Sequence, residues 1–497
     1  MTRTSLGALA LAFTAFGLCP AAEPAPEKPA PKPAGTPVEL VLLGGEKLVR
    51  VELHAKVEGV PVSAVWDETF AKLFTYFDCN SDGVLDVKEA ALLPAAKALR
   101  QAMGNGFTPP VGAAPTFADL DRNGDGKVTP DELTAYYRAS GIGNVQIGVG
   151  RLPASADLAA ALLKNLDADG DGKVTEKEWR AATEVLKKLD QNDDELIGAG
   201  ELVPKAVYPG AAGPVLLAPP TADATPPDVL TKLPLVLLPT DPKDMHWAAE
   251  LSRRHAKYKA DDLPAWRKQA ADAHWTVSLT DKPGAPERFA FAAGALRVDG
   301  WVASGKVNEA FAAARKQLVA QLDAPAEPGE AKGPRPTAGG LEWLVPIADR
   351  DGDGKLDRKE LDAWLDLQAQ IARGQVLLTV LDNGGLFELL DANHDGALSV
   401  RELRGAWDRL KEAGCVTDGA YDPKKLPRVL LAAASRGYPQ TLAIDARRGP
   451  AWFRAMDRNG DGDVSRREFT GPPEVFDRLD LDKDGLLSAE EAEAARR

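Results

Sequence analysis

Residues 349–360 read Asp349-Arg350-Asp351-Gly352-Asp353-Gly354-Lys355-Leu356-Asp357-Arg358-Lys359-Glu360. Acidic side chains stand at positions 1, 3 and 5 of this stretch, a glycine at position 6 and a glutamate at position 12. The same twelve-residue pattern recurs, once in a degraded form, in loops that begin at Asp78, Asp121, Asp167, Asp190, Asp391, Asp457 and Asp480. Eight copies are too many to arise by chance, so this loop is the repeated unit of the chain.

The spacing of the acidic residues fits the chemistry of a hard divalent cation. Ca²⁺ takes about six to eight oxygen ligands, and a twelve-residue loop supplies them from the side chains at positions 1, 3, 5 and 12, the carbonyl at 7, and position 9, often through water. Position 6 turns with a positive φ, which favours glycine. Surface turns rich in Asp and Gly are the alternative, but they would not fix six positions in each of seven loops.

The pattern D-x-[DN]-x-[DN]-G-x5-E resembles the EF-hand calcium loop. The resemblance implies a calcium cofactor and assigns the ligands of each loop by position, the position-7 residue acting through its carbonyl. The implied ligands are Asp78, Asn80, Asp82, Val84 and Glu89; Asp121, Asn123, Asp125, Lys127 and Glu132; Asp167, Asp169, Asp171, Lys173 and Glu178; Asp190, Asn192, Asp194 and Glu201; Asp349, Asp351, Asp353, Lys355 and Glu360; Asp391, Asn393, Asp395, Ala397 and Glu402; Asp457, Asn459, Asp461, Asp463 and Glu468; and Asp480, Asp482, Asp484, Leu486 and Glu491.

The fourth loop departs from the family pattern at two positions. Position 6 is Glu195, whose side chain costs on the order of 1 kcal/mol in the left-handed region, and position 9 is Gly198, which offers no side chain. We therefore expect this loop to bind calcium weakly or not at all, and to be retained because it pairs with its neighbour.

Position 8 is apolar in every loop, the residues being Leu85, Val128, Val174, Ile197, Leu356, Leu398, Val464 and Leu487. In EF-hand proteins this residue forms the short β-bridge between two paired loops. Its presence in all eight loops predicts paired, folded hands rather than isolated acidic turns.

The spacing of the loops predicts an internal duplication. Loops 1 and 2 begin 43 residues apart and loops 5 and 6 begin 42 apart, while loops 3 and 4, like loops 7 and 8, begin 23 apart. Alternating residues at 49–57 predict a strand before the first unit, and residues 274–279 and 288–302 predict strands before the second. We therefore predict a mainly α fold of tandem EF-hand pairs in two duplicated units, each with a small β element.

Composition divides the chain further. The predicted segments are a signal peptide (1–22), a Pro/Ala-rich linker (23–37), a first EF-hand unit with four loops, one of them degenerate (38–208), a Pro-rich connector (209–243), an extra helical segment (244–273) and a second four-loop unit (274–497).

The N-terminus predicts export. Arg3 precedes an apolar stretch at 6–18 that is too short to span a bilayer, and small residues follow with a cleavage point after Ala21 or Ala22. The alternatives are a short anchor helix or, because of Cys19, a lipoprotein. Beyond this segment the sequence lacks an apolar run of about 18 residues, so we expect no membrane span in the mature protein. We expect a periplasmic, cell-surface or secreted location.

The remaining composition limits the function. A net charge of −14 disfavours nucleic acid as a partner. None of the five histidines has the Cys or His spacing of a zinc site, and the chain has no recognisable catalytic motif, so we expect no enzyme. Cys79 and Cys415 are expected to be two separate thiols, with a disulfide between them as the alternative.

These observations predict an exported, non-enzymatic protein that binds calcium ions by multiple EF-hands, with the bound calcium mainly in a structural or buffering role. The alternative is a calcium-dependent protein–protein interaction module, either sensor-like or similar to the dockerin adaptors, with an unknown protein partner. The close spacing of loops 3 and 4 resembles dockerins, but dockerins are smaller and have Asp at position 12.

Overall fold

A computed structural model gives the architecture of the chain. It describes residues 35–497 apart from 97–98, 100–114, 144, 210–214, 218–227, 241–242, 281–287, 303–306, 324–340, 342–343, 437–447 and 495–497. The predicted signal peptide (1–22) and nearly all of the linker (23–37) lie outside the described residues. Residues 35–497 form one compact unit.

The strands alternate along the chain with the helices. They are β1 Val38–Leu42, β2 Val49–Val57, β3 Val60–Pro61, β4 Gln146–Arg151, β5 Ile197–Gly198, β6 Val215–Leu216, β7 Leu235–Leu237, β8 Ala273–Leu279, β9 Arg288–Ala293, β10 Leu296–Val302, β11 Leu377–Gly384, β12 Ala397–Leu398, β13 Val416–Thr417, β14 Ala420–Tyr421, β15 Arg428–Ser435, β16 Asp463–Ser465 and β17 Leu486–Ser488.

The helices before and after the loops are mostly short. They are α1 Val62–Phe77, α2 Val87–Ala90, α3 Phe117–Leu120, α4 Pro130–Ala139, α5 Ser155–Leu166, α6 Glu176–Arg180, α7 Ala182–Leu186, α8 Ala199–Leu202, α9 Asp228–Thr231, α10 His246–Arg254, α11 Leu263–Arg267, α12 Val307–Asp323, α13 Val345–Ala348, α14 Arg358–Arg373, α15 Leu386–Leu390, α16 Val400–Glu412, α17 Ala451–Met456, α18 Pro473–Leu479 and α19 Ala489–Ala494; 3₁₀ turns occur at Lys187–Leu189 and Pro423–Lys425.

Two larger sheets organise these elements. A five-stranded sheet has the order β3-β2-β1-β7, with β8 also paired to β2, and a six-stranded mixed sheet has the order β6-β4-β11-β15-β10-β9. In the six-stranded sheet β4 and β11 are parallel, as are β10 and β15, while the other pairs are antiparallel. Both sheets therefore combine strands from distant parts of the chain.

The predicted fold class, mainly α, is wrong. The structure is 41% helical and 21% strand, with several multi-stranded sheets. The prediction of a small β element within each of two units is wrong for the same reason, because each large sheet takes strands from both predicted units. Apolar runs of the predicted connector form two of these strands, β6 and β7, which pair with β4 and β1.

The central strands were missed because burial on both faces removes the alternation that identifies a strand. β11 is buried at seven of its eight positions, and β15 is buried at all but its first residue. A short, continuous apolar run of this kind cannot be distinguished from a buried helix by its period alone.

The hydrophobic core lies in several clusters that carry the loops. The largest packs α1, α4 and α14 against both sheets and includes Trp66 and Phe70. A second cluster, with Trp179, Phe387 and Trp407, lies under loops 3, 4 and 6. A third joins loops 7 and 8. Because each fully buried large apolar side chain stabilises the fold by roughly 1.5–3 kcal/mol, these clusters fix the loop positions firmly.

Candidate metal centres

The eight acidic loops share one backbone geometry. The residue at position 6 has a positive φ in every loop, between 67° and 92°, and the residue at position 4 has a positive φ between 56° and 79°. Glycine fits both positions without strain, but Glu195 of loop 4 adopts φ 67° at position 6. The degraded loop therefore keeps the conformation of the other seven.

The glutamate at position 12 closes each loop. One of its carboxylate oxygens accepts the N–H of position 2 and the other accepts the N–H of position 9, at 2.7–3.1 Å. The glutamates are Glu89, Glu132, Glu178, Glu201, Glu360, Glu402, Glu468 and Glu491. This closure holds both ends of the loop around the carboxylate that a bidentate calcium ligand requires.

The side chains at positions 1, 3 and 5 point into the same space. In all eight loops the side chain at position 1 accepts the backbone N–H of position 6. The side chain at position 3 accepts the backbone N–H of position 5, and the side chain at position 5 accepts the backbone N–H of position 7. In loops 3 and 5 the carboxylate oxygens of positions 1, 3 and 12 lie within 4.8 Å of one another, and in loop 8 so do those of positions 1, 3 and 5. An oxygen-only donor set of this kind fits a hard cation such as Ca²⁺.

Three pairs of loops are joined through position 8. Leu85 and Val128 bridge loops 1 and 2, and Val464 and Leu487 lie opposite each other in the β16–β17 pair of loops 7 and 8. The third pair is formed by loops 4 and 6, where Ile197 lies opposite Leu398. Our expectation that loop 4 pairs with its sequence neighbour is therefore not met: its partner lies some 200 residues away along the chain.

Loop 3 uses a different partner. The backbone N–H of Tyr421, in the β13–β14 hairpin, donates to the carbonyl of Val174 at 2.9 Å. Only eleven residues separate loops 3 and 4, and they contain the end of α6, the short helix α7 and a 3₁₀ turn. Loop 4 faces loop 6 instead of loop 3. For loop 5 the described residues provide no bridge, but Leu356 is buried in the largest core cluster.

Loop 6 is the most deeply buried centre. Asp391 is fully buried, and burial raises its pKa well above the usual range, with the carboxylates of Glu402 and Asp395 adding to the rise. The ring of His394, at position 4, stacks on Trp301 of β10 at 4.4 Å and anchors the loop to the six-stranded sheet. Burial also raises the pKa of Asp461 in loop 7 to about 8.

In the exposed loops 2 and 3 the pKa of the position-12 glutamate is lowered instead of raised. The backbone N–H of Thr129 lowers the pKa of Glu132, and that of Thr175 lowers the pKa of Glu178. A divalent cation would therefore relieve much more charge repulsion in loops 6 and 7 than in loops 2 and 3, because buried carboxylates lack water to screen them.

Loop 4 also contacts loop 7. Nη1 of Arg467 donates to Oδ1 of Asp193 at 2.8 Å and lies 3.7 Å from the carboxylate of Glu195. Asn459, the position-3 residue of loop 7, donates through Nδ2 to the carbonyl of Asp194 at 2.9 Å. The glutamate that breaks the calcium-loop pattern at position 6 thus faces an arginine of the neighbouring loop.

Other expectations concern residues outside the loops. Both Cys79, which is exposed, and Cys415, which is buried, are free thiols, so they form no disulfide with each other. Within the part of the chain that the structure describes, no helix is both long enough and apolar enough to cross a membrane. The sequence prediction missed one group of ligand-type side chains, Glu52, His54 and His274, which the five-stranded sheet brings together.

Comparison with known families agrees with the loop geometry. The family model described as EF hand matches residues 113–135, 158–182, 347–365, 385–405, 451–470 and 474–491. These segments contain loops 2, 3, 5, 6, 7 and 8, whereas loops 1 and 4 lie outside the matches. No curated protein and no solved structure matches the chain.

Proposed function

Because the chain is an EF-hand protein with tandem EF-hands, we propose that it is an exported, non-enzymatic protein in which bound Ca²⁺ mainly stabilises the fold. The EF-hands support calcium binding. The structural role is the proposal, and one observation carries it: the loops connect distant segments of the chain, as in the pairing of loop 4 with loop 6.

The residues of each loop would hold the ion through oxygen atoms. The carboxylates and amides at positions 1, 3 and 5 and the glutamate at position 12 converge, as described above, and the carbonyl of position 7 completes the protein ligands. The ion supplies two positive charges among these oxygens. The chain itself positions the ligands, through the position-4 and position-6 turns and through the glutamate that closes the loop.

The expected stabilisation follows from mass action. Exported calcium modules commonly bind at about 10⁻⁴–10⁻³ M, and a site that is occupied at ten times its Kd adds about 1.4 kcal/mol to the folded state. Seven such sites would add on the order of 10 kcal/mol if they were independent. This amount is similar to the whole stability of a typical domain, about 5–15 kcal/mol.

Chelation tests the structural role. Thermal unfolding of the full chain would be followed by circular dichroism in Ca²⁺, in Mg²⁺ and in chelator. We expect a much lower Tm and a partial loss of helix in chelator. Mg²⁺ should restore little, because it requires a tight octahedral site at about 2.0–2.1 Å. Equal melting curves in all three conditions would refute a structural role for calcium.

A hydrophobic dye distinguishes this proposal from a calcium sensor. A sensor exposes an apolar groove when it binds Ca²⁺, so its dye binding rises with calcium. In a structural role, dye binding rises when calcium is removed, because the clusters under the loops become accessible. Export is supported by the signal-like sequence at 1–22, and mass spectrometry of the protein from the producing cells would show whether this segment is removed.

A further inference from the structure

Three ligand-type side chains lie side by side on the five-stranded sheet, away from the acidic loops. Glu52 and His54 are two residues apart on β2, so they project from the same face. β8 pairs with β2 in parallel, and its residue His274 lies directly opposite Glu52. The sheet thereby unites histidines from two distant segments, which no sequence spacing could reveal.

The two distances from Glu52 to the histidines match the edges of a tetrahedral metal site. Oε2 of Glu52 lies 3.5 Å from Nε2 of His54 and 3.3 Å from Nδ1 of His274. Zinc–ligand bonds of about 2.0–2.1 Å in a tetrahedron place neighbouring ligand atoms about 3.3 Å apart. These separations are longer than the usual N–H···O hydrogen bond of about 2.7–3.2 Å. All three ligand atoms lie within 4.8 Å of one another.

The surroundings orient the carboxylate for such a role. Nη1 of Arg50 lies 3.6 Å from Oε1 of Glu52, whereas the two histidine distances above are to Oε2, so the guanidinium and the histidines face different oxygens. The backbone N–H of Arg50 in turn donates to Asp272 at 2.7 Å, just before β8. Outer groups of this kind commonly fix the orientation of metal ligands.

Access and rigidity also fit a metal site. His54 is buried on a central strand, whereas the side chain of His274 is 49% exposed. An ion can therefore reach the three ligands from the solvent side, where a water molecule would take a fourth position. The ordinary alternative is a polar cross-strand cluster in which the histidines and the carboxylate interact with each other without a metal ion.

We propose that Glu52, His54 and His274 bind a zinc-class transition metal ion. Two imidazole nitrogens select against Ca²⁺, which prefers oxygen, and favour Zn²⁺ or a related ion. The site is therefore chemically separate from the eight calcium loops. A bound ion would join β2 to β8 and so fasten together strands from the two halves of the chain.

Cobalt and zinc binding to the full chain test the site. The protein is saturated with Ca²⁺ so that the acidic loops are occupied, and Co²⁺ is then added as a spectroscopic probe and displaced with Zn²⁺. We expect one tetrahedral cobalt centre per chain that zinc displaces. The variants His274→Ala and Glu52→Gln should each weaken binding by ~100-fold or more, since each removes a direct ligand and loss of an outer-shell partner alone already costs 10–100-fold.

The variant His246→Ala provides the matched control, because His246 is exposed on α10 and should not alter binding. Circular dichroism checks that each variant is folded. Glu52→Gln keeps the shape of the side chain, so it still tests the site if His274→Ala does not fold. The proposal is overturned if calcium-saturated wild type takes up no cobalt, or if both ligand variants bind it as the wild type does.

Discussion

The substitution Asp391→Asn should stabilise the protein without calcium and lose most of that gain when calcium is present. Asp391 is fully buried in loop 6 beside the carboxylates of Glu402 and Asp395, and it accepts the N–H groups of Asp395 and Gly396 at 3.2 and 3.0 Å. Without an ion, burial and the neighbouring carboxylates disfavour the ionised form of Asp391, which destabilises the fold by up to several kcal/mol. Asparagine removes the charge but accepts one fewer N–H, at a cost of about 1–3 kcal/mol.

The net result in chelator should be a more stable protein, by about 1–2 kcal/mol as the difference of these two effects. In calcium most of this gain should disappear, because the variant has lost a charged ligand. If the wild-type site is filled at ten times its Kd, the variant forfeits up to about 1.4 kcal/mol of calcium-dependent stabilisation. Guanidinium unfolding midpoints in chelator and in Ca²⁺, followed by circular dichroism, measure both effects.

Asp349→Asn is the matched control. Asp349 holds the same position in loop 5 and accepts the N–H groups of Gly352 and Gly354 at 2.8 Å, but it is partly exposed. It should show the loss in calcium without the gain in chelator. If Asp391→Asn lowers the unfolding midpoint in chelator as much as the control does, then burial of Asp391 does not destabilise the ion-free loop 6, and the reasoning is refuted.

Three further substitutions test the loop contacts. Leu398→Ala should destabilise the protein by about 2–5 kcal/mol because Leu398 is fully buried opposite loop 4, whereas Leu481→Ala, at a 66% exposed position, should change the unfolding midpoint little. Arg467→Ala should speed proteolytic release of the C-terminal loop pair at low salt, since it removes the ion pairs of Arg467 with Asp193 and Glu195 of loop 4. Arg466→Ala should not, because its partner Asp477 lies within the loop pair, and equal rates for the two variants would contradict the contact. Gly198→Ser should strengthen calcium binding at loop 4, because the hydroxyl restores a side-chain oxygen at position 9 and the new Cβ would lie 3.5 Å from its nearest neighbour. An unchanged affinity in a direct calcium titration would show that position 9 does not limit binding at this loop.

The local structure of the loops could be predicted from the sequence because it is encoded locally. Twelve residues determine the turns and the converging oxygens, so the geometry of loop 5 could be predicted without any tertiary contact. The strand at Val49–Val57 was also recognisable, since its residues show the hydrophobic period of a half-buried strand.

The arrangement of the loops could not be predicted in the same way. Every loop carries an apolar residue at position 8, so the sequence says that loops pair but does not say with which partner. The pairing of Ile197 with Leu398 is decided by the helices and sheets that position them. The Glu52, His54 and His274 cluster depends on strand register in the same manner, because β2 and β8 belong to distant segments.

Calorimetric titration of the full chain with Ca²⁺ and with Mg²⁺ tests the central claim most directly, because it counts the sites. We predict at least seven calcium sites with affinities of about 10⁻³ M or tighter, loop 4 being the weakest, and much weaker binding of Mg²⁺. Two or fewer calcium sites, or Mg²⁺ binding equal to that of Ca²⁺, would contradict the account.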